Sequence, residues 1–238
     1  MTAPRTDDCI VRPLRFTNDI AAMQDFLGLL GLAARVESRR GGWLDLVAGE
    51  GMVALHDAAT SDSGGVAGQT RLSFEGADLD ALAARLADAG WSDAVILDEA
   101  YGRALGVTDP AGERLWVDGY NDDDYGYRVH EPARDQKWSV QPVRSTPVLG
   151  EYGRFLGCFG LEAYAAHPAL VLGGHVGLVR LEVGPPAVQL GLATPEPLEE
   201  VAERLRAAGH DDAAVSGAVL AVTDPDGQVV AVHPRTRR

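Results

Sequence analysis

Residues 12–32, RPLRFTNDIAAMQDFLGLLGL, occur a second time at 141–161 as QPVRSTPVLGEYGRFLGCFGL. Aligned without gaps, Pro13 falls on Pro142, Arg15 on Arg144, Thr17 on Thr146, and the FLG..GL of 26–32 on that of 155–161. A repeat this long, half a chain apart, restricts the fold to one built by duplication and excludes a single large irregular domain. Each copy reads as strand, turn and helix. In the first, a β-rich run from Val11 meets Asn18 or Asp19 as the helix cap. Ile20, Met23, Phe26, Leu27 and Leu30 then follow at helical spacing until Gly31 stops the helix.

Three strands are expected next, at 34–38, 42–47 and 52–56, with glycines at 41, 42, 49 and 51 supplying tight turns. The scheme restarts with an alternating strand at Thr70 and a helix capped by Asp78 and ended by Gly90. Strands at 93–98, 104–108 and 114–118 follow, the last two joined by the turn Asp109-Pro110-Ala111-Gly112. Each quarter is therefore βαβββ, and two quarters fill a first domain at 8–119. Residues 120–137 have no periodicity and read as a linker, with the acidic run 122–124 between Tyr120 and Tyr125 taken as solvated. A second, shorter pair of quarters fills 138–235. There the helix ending at Gly209 matches the one ending at Gly90, and ValThrAspProAspGly from Val222 matches ValThrAspProAlaGly from Val107. The fold class is α+β, four βαβββ modules in two domains.

A chain of 238 residues, 46% hydrophobic, can bury two modest cores. No apolar run approaches the roughly 20 residues that span a bilayer, and MTAPRTDDCI carries no secretory pattern, so a cytoplasmic location is expected. The net charge of −14 argues against nucleic acid and anionic membranes as partners and permits a cationic ligand. Cys9 and Cys158 make neither a disulfide framework nor a spaced zinc motif and read as inert thiols. Richness in Ala, Gly and Arg suggests a high-GC bacterial genome.

The acid-capped helix, LxxLG at its end, the AARLxxAG-type second helix and the DPxG hairpin, twice in order, resemble the vicinal oxygen chelate superfamily. That group includes glyoxalases, extradiol dioxygenases and bleomycin-binding resistance proteins. The resemblance implies two glyoxalase/bleomycin-resistance-like domains, each curling around a cleft. In enzymatic members the cleft holds a divalent metal on the first and last strands of each module. Carried onto this chain, those positions fall on Arg12, Val53 within two residues, Arg71 and Trp116 in the first half. In the second half they fall on Gln141, Gln189, Ala231 and a position inside 177–183.

Strand alternation places Arg71, Ser73 and Glu75 opposite Leu72 and Phe74, and Arg114, Trp116 and Asp118 opposite Leu115 and Val117. Guanidinium groups have no lone pair, and Trp and Val cannot ligate. Gln141 and Gln189 offer only neutral oxygens, which hold dications weakly. No metal or other cofactor is therefore expected. Arg12 and Arg71 can bind an anionic ligand group or pair with Glu75, Asp45 or Asp118 inside the cleft. Phe16, Trp43, Tyr101 and Trp116 are candidate walls for an aromatic or hydrophobic guest. Trp91 and Trp138 read as packing residues. His56 beside Asp57 is the one candidate base, while His130, His167, His175, His210 and His233 show no ligand spacing and read as surface or loop residues.

The expectation is a monomeric, metal-independent protein that sequesters a small, partly aromatic and possibly cationic molecule, its two domains paired within one chain. The alternatives are a metal-dependent lyase or dioxygenase of the same superfamily and a scaffold whose clefts are used for packing.

Overall fold

The structure, a computed structural model, describes residues 9–61, 64–99, 101–121, 125–132, 135, 137–165, 170–174 and 177–235. The acidic run 122–124, His167 and His175 lie outside the described residues.

The first domain runs β1 (Cys9–Val11), β2 (Leu14–Thr17), α1 (Ile20–Leu29), β3 (Ala33–Ser38), β4 (Trp43–Val47) and β5 (Met52–Asp57), then β6 (Thr70–Arg71), β7 (Ser73–Gly76), α2 (Leu79–Asp88), β8 (Val95–Glu99), β9 (Gly102–Thr108) and β10 (Arg114–Gly119). After β11 (Tyr127–Val129), the second domain repeats the order with β12 (Ser139–Val140), β13 (Val143–Thr146), α3 (Leu149–Gly157), β14 (Glu162–Ala165), β15 (Leu170–Gly174) and β16 (Gly177–Val183). It closes with β17 (Ala187–Gln189), β18 (Gly191–Thr194), α4 (Leu198–Ala207), β19 (Ala214–Ser216), β20 (Val219–Thr223) and β21 (Val229–Pro234). The first domain's sheets have the strand orders β1-β7-β10-β9-β8 and β11-β3-β4-β5-β2-β6. The second domain's are β12-β18-β21-β20-β19 and β14-β15-β16-β13-β17.

The repeated proline explains how one extended run serves two sheets. Pro13 has no N–H to give to a ladder. The chain therefore leaves β7, which β1 faces antiparallel, and takes up β5 and β6 as partners of β2. Pro142 divides β12 from β13 in the same way, β12 lying on β18 and β13 on β16 and β17. Asp19 and Asp78 cap their helices as the sequence indicates, accepting from the Ala22 and Ala81 amides at 2.9 Å each. In the second domain Val148 and Pro197 occupy the cap positions without a side-chain bond.

The 120–137 stretch is not wholly a linker. Tyr127–Val129 pairs antiparallel with Val36–Ser38, extending the first domain's sheet at the exposed edge of β3. Three residues are too few for periodicity to announce a strand; the edge's free backbone groups recruit it.

One apolar cluster runs through both domains. Phe74 stacks on Phe159 at 4.6 Å, Trp91 meets Phe155 at 5.2 Å and Phe26 meets His210 at 5.0 Å. The first module thus packs on the fourth and the second on the third. At the centre of the junction the backbone itself comes close. A Cβ on Gly51, whose φ is +80°, would lie 2.8 Å from Val140 Cβ, and one on Gly177, φ +127°, would lie 2.7 Å from Val11 Cβ. Val11 and Val140 are counterparts in the repeat, so the contact is reciprocal.

Candidate functional site

In the first domain Asp118 stands opposite Glu75 across β10 and β7, and Asp45 opposite Ala54 across β4 and β5. These positions alternate with the apolar residues under the helices, so they line the concave faces of the two sheets. Arg12, at the bend between β1 and β2 and only 4% exposed, reaches into the space they enclose. Its Nη1 donates to both Asp45 oxygens at 3.2 and 3.1 Å and lies 4.0 Å from Glu75, and its Nη2 donates to Asp118. Arg35 Nη1 donates to Glu75 at 3.1 Å. Burial alone would lower the Arg12 pKa; Asp45, Asp118 and Glu75 outweigh it and hold the group charged. For Asp45 burial prevails over Arg12, and its pKa is raised.

Around this cluster lie most of the residues named from sequence. Arg12 sits 5.5 Å over the Trp43 ring, and Trp43 meets the edge of His56 at 5.5 Å. His56 lies 5.8 Å from Phe16, over which Arg71 is placed at 4.9 Å. Phe16 is 0% exposed and closed over by the chain at Gly65, where a Cβ would come within 2.3 Å of the ring. Trp116 lies beside Arg114 at 5.5 Å, and Tyr101 is 51% exposed. His56 is not oriented by the Asp57 carboxylate: its Nδ1–H donates to the Asp57 carbonyl at 2.9 Å, while that carboxylate accepts from the Ala59 amide. The base-and-orienter pair that their adjacency made conceivable is therefore not formed, and a strand-end hydrogen bond stands in its place.

The second domain has the same frame with different occupants. Val11 opposes Phe74 as Val140 opposes Leu192, which puts Gln141 in the place of Arg12. His233 opposes Ala193 as Asp118 opposes Glu75, and Val171 opposes Arg180 as Asp45 opposes Ala54. Arg12, Asp45, Glu75 and Asp118 thus become Gln141, Val171, Ala193 and His233, and every charge of that quartet is gone. Gln141 is 4% and His233 6% exposed, and Gln141 Oε1 and His233 Nε2 have no hydrogen-bond partner. Burial first, then the nearby Arg180 cation, pull the His233 pKa down to about 4, leaving a neutral imidazole at pH 7. Arg180 is paired with Glu182 at 2.8 Å. Gln189 is exposed and its Nε2 donates to the Val229 carbonyl at 3.0 Å. His233, read from sequence as a surface or loop residue, is a buried strand residue. The alternation of Val230 and Val232 against Ala231 and His233 carried that signal.

The fold implies a divalent metal, and the residues of the first cleft do not fit one: a guanidinium already stands among the three carboxylates as their cation. The second cleft presents two unpartnered atoms, one amide oxygen and one neutral imidazole, where a catalytic metal takes about three protein donors. Among the described residues, no group of three or more His, Cys, Asp or Glu side chains is placed to hold a metal ion. None of the described helices is long and apolar enough to cross a membrane.

No family model matches the sequence, and no curated protein matches it. Solved structures do. A catechol 2,3-dioxygenase superposes with TM-score 0.63 at 16% identity, over 99% of this chain and 90% of that one. Homoprotocatechuate 2,3-dioxygenase from Brevibacterium fuscum gives 0.61 at 16% identity, over 99% of this chain and 73% of that one. A Mn(II)-bound glyoxalase from Novosphingobium aromaticivorans gives 0.60 at 17%, over 97% and 82%. All carry the tandem architecture along nearly the whole chain. Their names are those of enzymes, so the expectation of metal-independent sequestration draws no support from them; at 16–17% identity the likeness is one of fold.

Proposed function

Since this chain has the vicinal oxygen chelate fold as two domains in tandem, we propose that it binds a small molecule in the cleft of its second domain, with Gln141 and His233 as the polar contacts. One observation carries this reading: two buried polar atoms in that cleft lack partners, and buried polar groups are ordinarily satisfied. The first cleft differs in charge and not in having open atoms: Arg12 pairs there with Asp45 and Asp118, while Arg12 Nε and Glu75 Oε1 also lack partners. In this reading Arg12, Phe16, Trp43, Arg71 and Trp116 serve the closed first domain, and Gln141 is the residue named from sequence that meets ligand.

A calorimetric screen of small neutral, anionic and cationic aromatics against the intact protein and its Gln141→Leu variant tests this. Binding that weakens about tenfold or more in the variant is expected from the loss of a buried hydrogen bond. Binding that survives unchanged, or that instead follows Arg12→Met, would place the site elsewhere.

A second reading makes the same cleft catalytic, as in a metal-dependent lyase or dioxygenase. It is favoured by the enzymes among the similar structures and by His233, whose neutral ring is the form that offers a lone pair to a metal. Gln141 and His233 are two of the about three protein donors that a catalytic metal takes, so metal content decides between the two readings. Elemental analysis of protein purified without chelators decides: stoichiometric Fe or Mn lost on His233→Gln supports it, and metal-free protein that still binds ligand excludes it.

A further inference from the structure

We infer that β8 is a docking edge for a basic, extended segment of a partner protein, which adds to its sheet as one more strand. The four modules supply the comparison. Each places an equivalent strand at the rim of its sheet, β3, β8, β14 and β19, and such an edge presents unpaired backbone N–H and C=O groups to any chain that can lie beside it. Three of the four are guarded. β3 is covered by β11, β14 has a register break between Ala163 and Ala165, and β19 is three residues long with Ala214 and Ser216 as its exposed side chains. β8 has none of these devices. Its five residues pair with β9 in unbroken register, from Val95 opposite Gly106 to Glu99 opposite Gly102, and no strand of the described residues lies on its other side. Val95, Ile96 and Leu97 stand where β19 has Ala214, Val215 and Ser216. Ile96 packs against the core, so Val95 and Leu97 share the opposite face, where they are 42% and 39% exposed.

The partner's chemistry follows from the edge that the chain itself covers. Arg128 of β11 lies directly opposite Glu37 of β3 and donates to it at 3.0 Å, and Arg39, just past β3, donates to the Tyr127 carbonyl at 2.8 Å. An edge glutamate there meets an arginine of the strand added to it. β8 ends on Asp98 and Glu99. Asp98 lies across from Arg103, whereas Glu99 lies across from Gly102 and has no ion pair among the described residues. A strand laid antiparallel on β8 gains most with Arg or Lys opposite Glu99 and with β-branched residues opposite Leu97 and Val95. The two acids close that end of the edge to most chains and select a cationic one. A second copy's β8 does not fit: paired about Leu97, it sets Glu99 opposite Val95 at both ends and joins two chains of net charge −14.

Two acetylated and amidated pentapeptides, Arg-Thr-Val-Thr-Val and Glu-Thr-Val-Thr-Val, are titrated into the full chain while its backbone amides are followed by NMR. The arginine peptide is expected to shift the amides of Val95–Glu99 and to slow the exchange of alternate ones. It should bind about fivefold or more tightly than the glutamate peptide at low salt, a gap that narrows at high salt. Leu97→Lys, which sets a charge on the exposed edge, should abolish binding and leave the melting temperature unchanged. Glu99→Lys should turn the preference towards the glutamate peptide, and serves if the first variant folds poorly. Equal affinities for the two peptides overturn the basic partner, and no response of the β8 amides to either overturns the docking edge. A dimer in sedimentation that Leu97→Lys dissolves would assign β8 to a second copy and overturn the inference as well.

Discussion

Arg15 and Asp224, 209 positions apart in the chain, form an ion pair across the two domains, and their repeat counterparts Arg144 and Asp109 form the reciprocal one at 2.8 Å. Each aspartate divides its oxygens between two tasks. One accepts from the amides of its own DPxG hairpin, Ala111 and Glu113 for Asp109, Asp226 and Gln228 for Asp224. The other faces the arginine of the opposite domain. The turn that closes an even-numbered module is thereby tied to the first strand of an odd-numbered one, once in each direction between the two domains. Tyr152 adds a 2.6 Å bond to Asp109, whereas its counterpart in the repeat, Met23, has no hydroxyl to give.

Arg144→Met should therefore cost about 3–5 kcal/mol, because Arg144 is 1% and Asp109 6% exposed and the carboxylate would be left without its cation. Tyr152→Phe should cost less, about 1.5–3 kcal/mol, as the loss of one bond to a charged acceptor. Urea unfolding of both variants measures this; equal, sub-kilocalorie effects would mean that the domains are held by their apolar contacts alone.

The junction glycines make a steric prediction. Gly51→Ala and Gly177→Ala each place a methyl within 2.8 Å of a valine from the other domain, in backbone of positive φ. A steric loss of roughly 1–3 kcal/mol is expected for each beyond the strain of positive φ, a strain that Gly41→Ala shares while its Cβ position is open. Thermal or denaturant melts compare the three.

The repeat made the architecture readable because its landmarks are local: the proline that breaks a ladder, the aspartate that caps a helix, the glycine that ends one. The alternation of Leu115 and Val117 with Trp116 and Asp118 also put Asp118 on the face away from the core, and of the two partners left open for Arg12, a ligand anion or the chain's own carboxylates, the structure pairs it with Asp45 and Asp118. What escaped was anything requiring two distant registers at once. Arg15 and Asp109 both recur in the second half of the sequence, but only the packing of module one on module four shows that they pair crosswise. His233 was passed over for the same reason. Its significance lies in being the counterpart of Asp118, a relation fixed by strand pairing and not by spacing along the chain.

Arg12→Met tests the first cleft. With Arg12 present, burial already holds the Asp45 carboxyl above its ordinary range. Without it, Asp45, Glu75 and Asp118 share only Arg35. Carboxyls whose folded pKa exceeds the unfolded one bind protons that the unfolded chain releases, so stability falls as pH rises through the carboxylate range. The variant should be about 3–5 kcal/mol less stable than the parent near neutral pH and recover part of the difference on acidification. A gap that is constant with pH would show that these carboxylates are not what Arg12 holds.

His233 makes the opposite prediction in sign. Its folded pKa, about 4, lies below the ordinary value of 6.5 because burial and Arg180 disfavour the charged ring. Between those values the unfolded chain takes up a proton that the folded one refuses, so the stabilising contribution is complete above 6.5 and is lost as pH falls towards 4. The span corresponds to about 3 kcal/mol. His233→Gln should abolish that part of the pH slope while leaving the carboxylate part in place, and ring-nitrogen NMR of the parent should show no protonation until well below pH 6.5. Glu182, which raises the same pKa, supplies a control: Glu182→Gln should move the His233 titration lower still. A ring that titrates near its ordinary value would mean that the second cleft is wet and Nε2 already hydrated, and the case for a ligand between Gln141 and His233 would lose its footing.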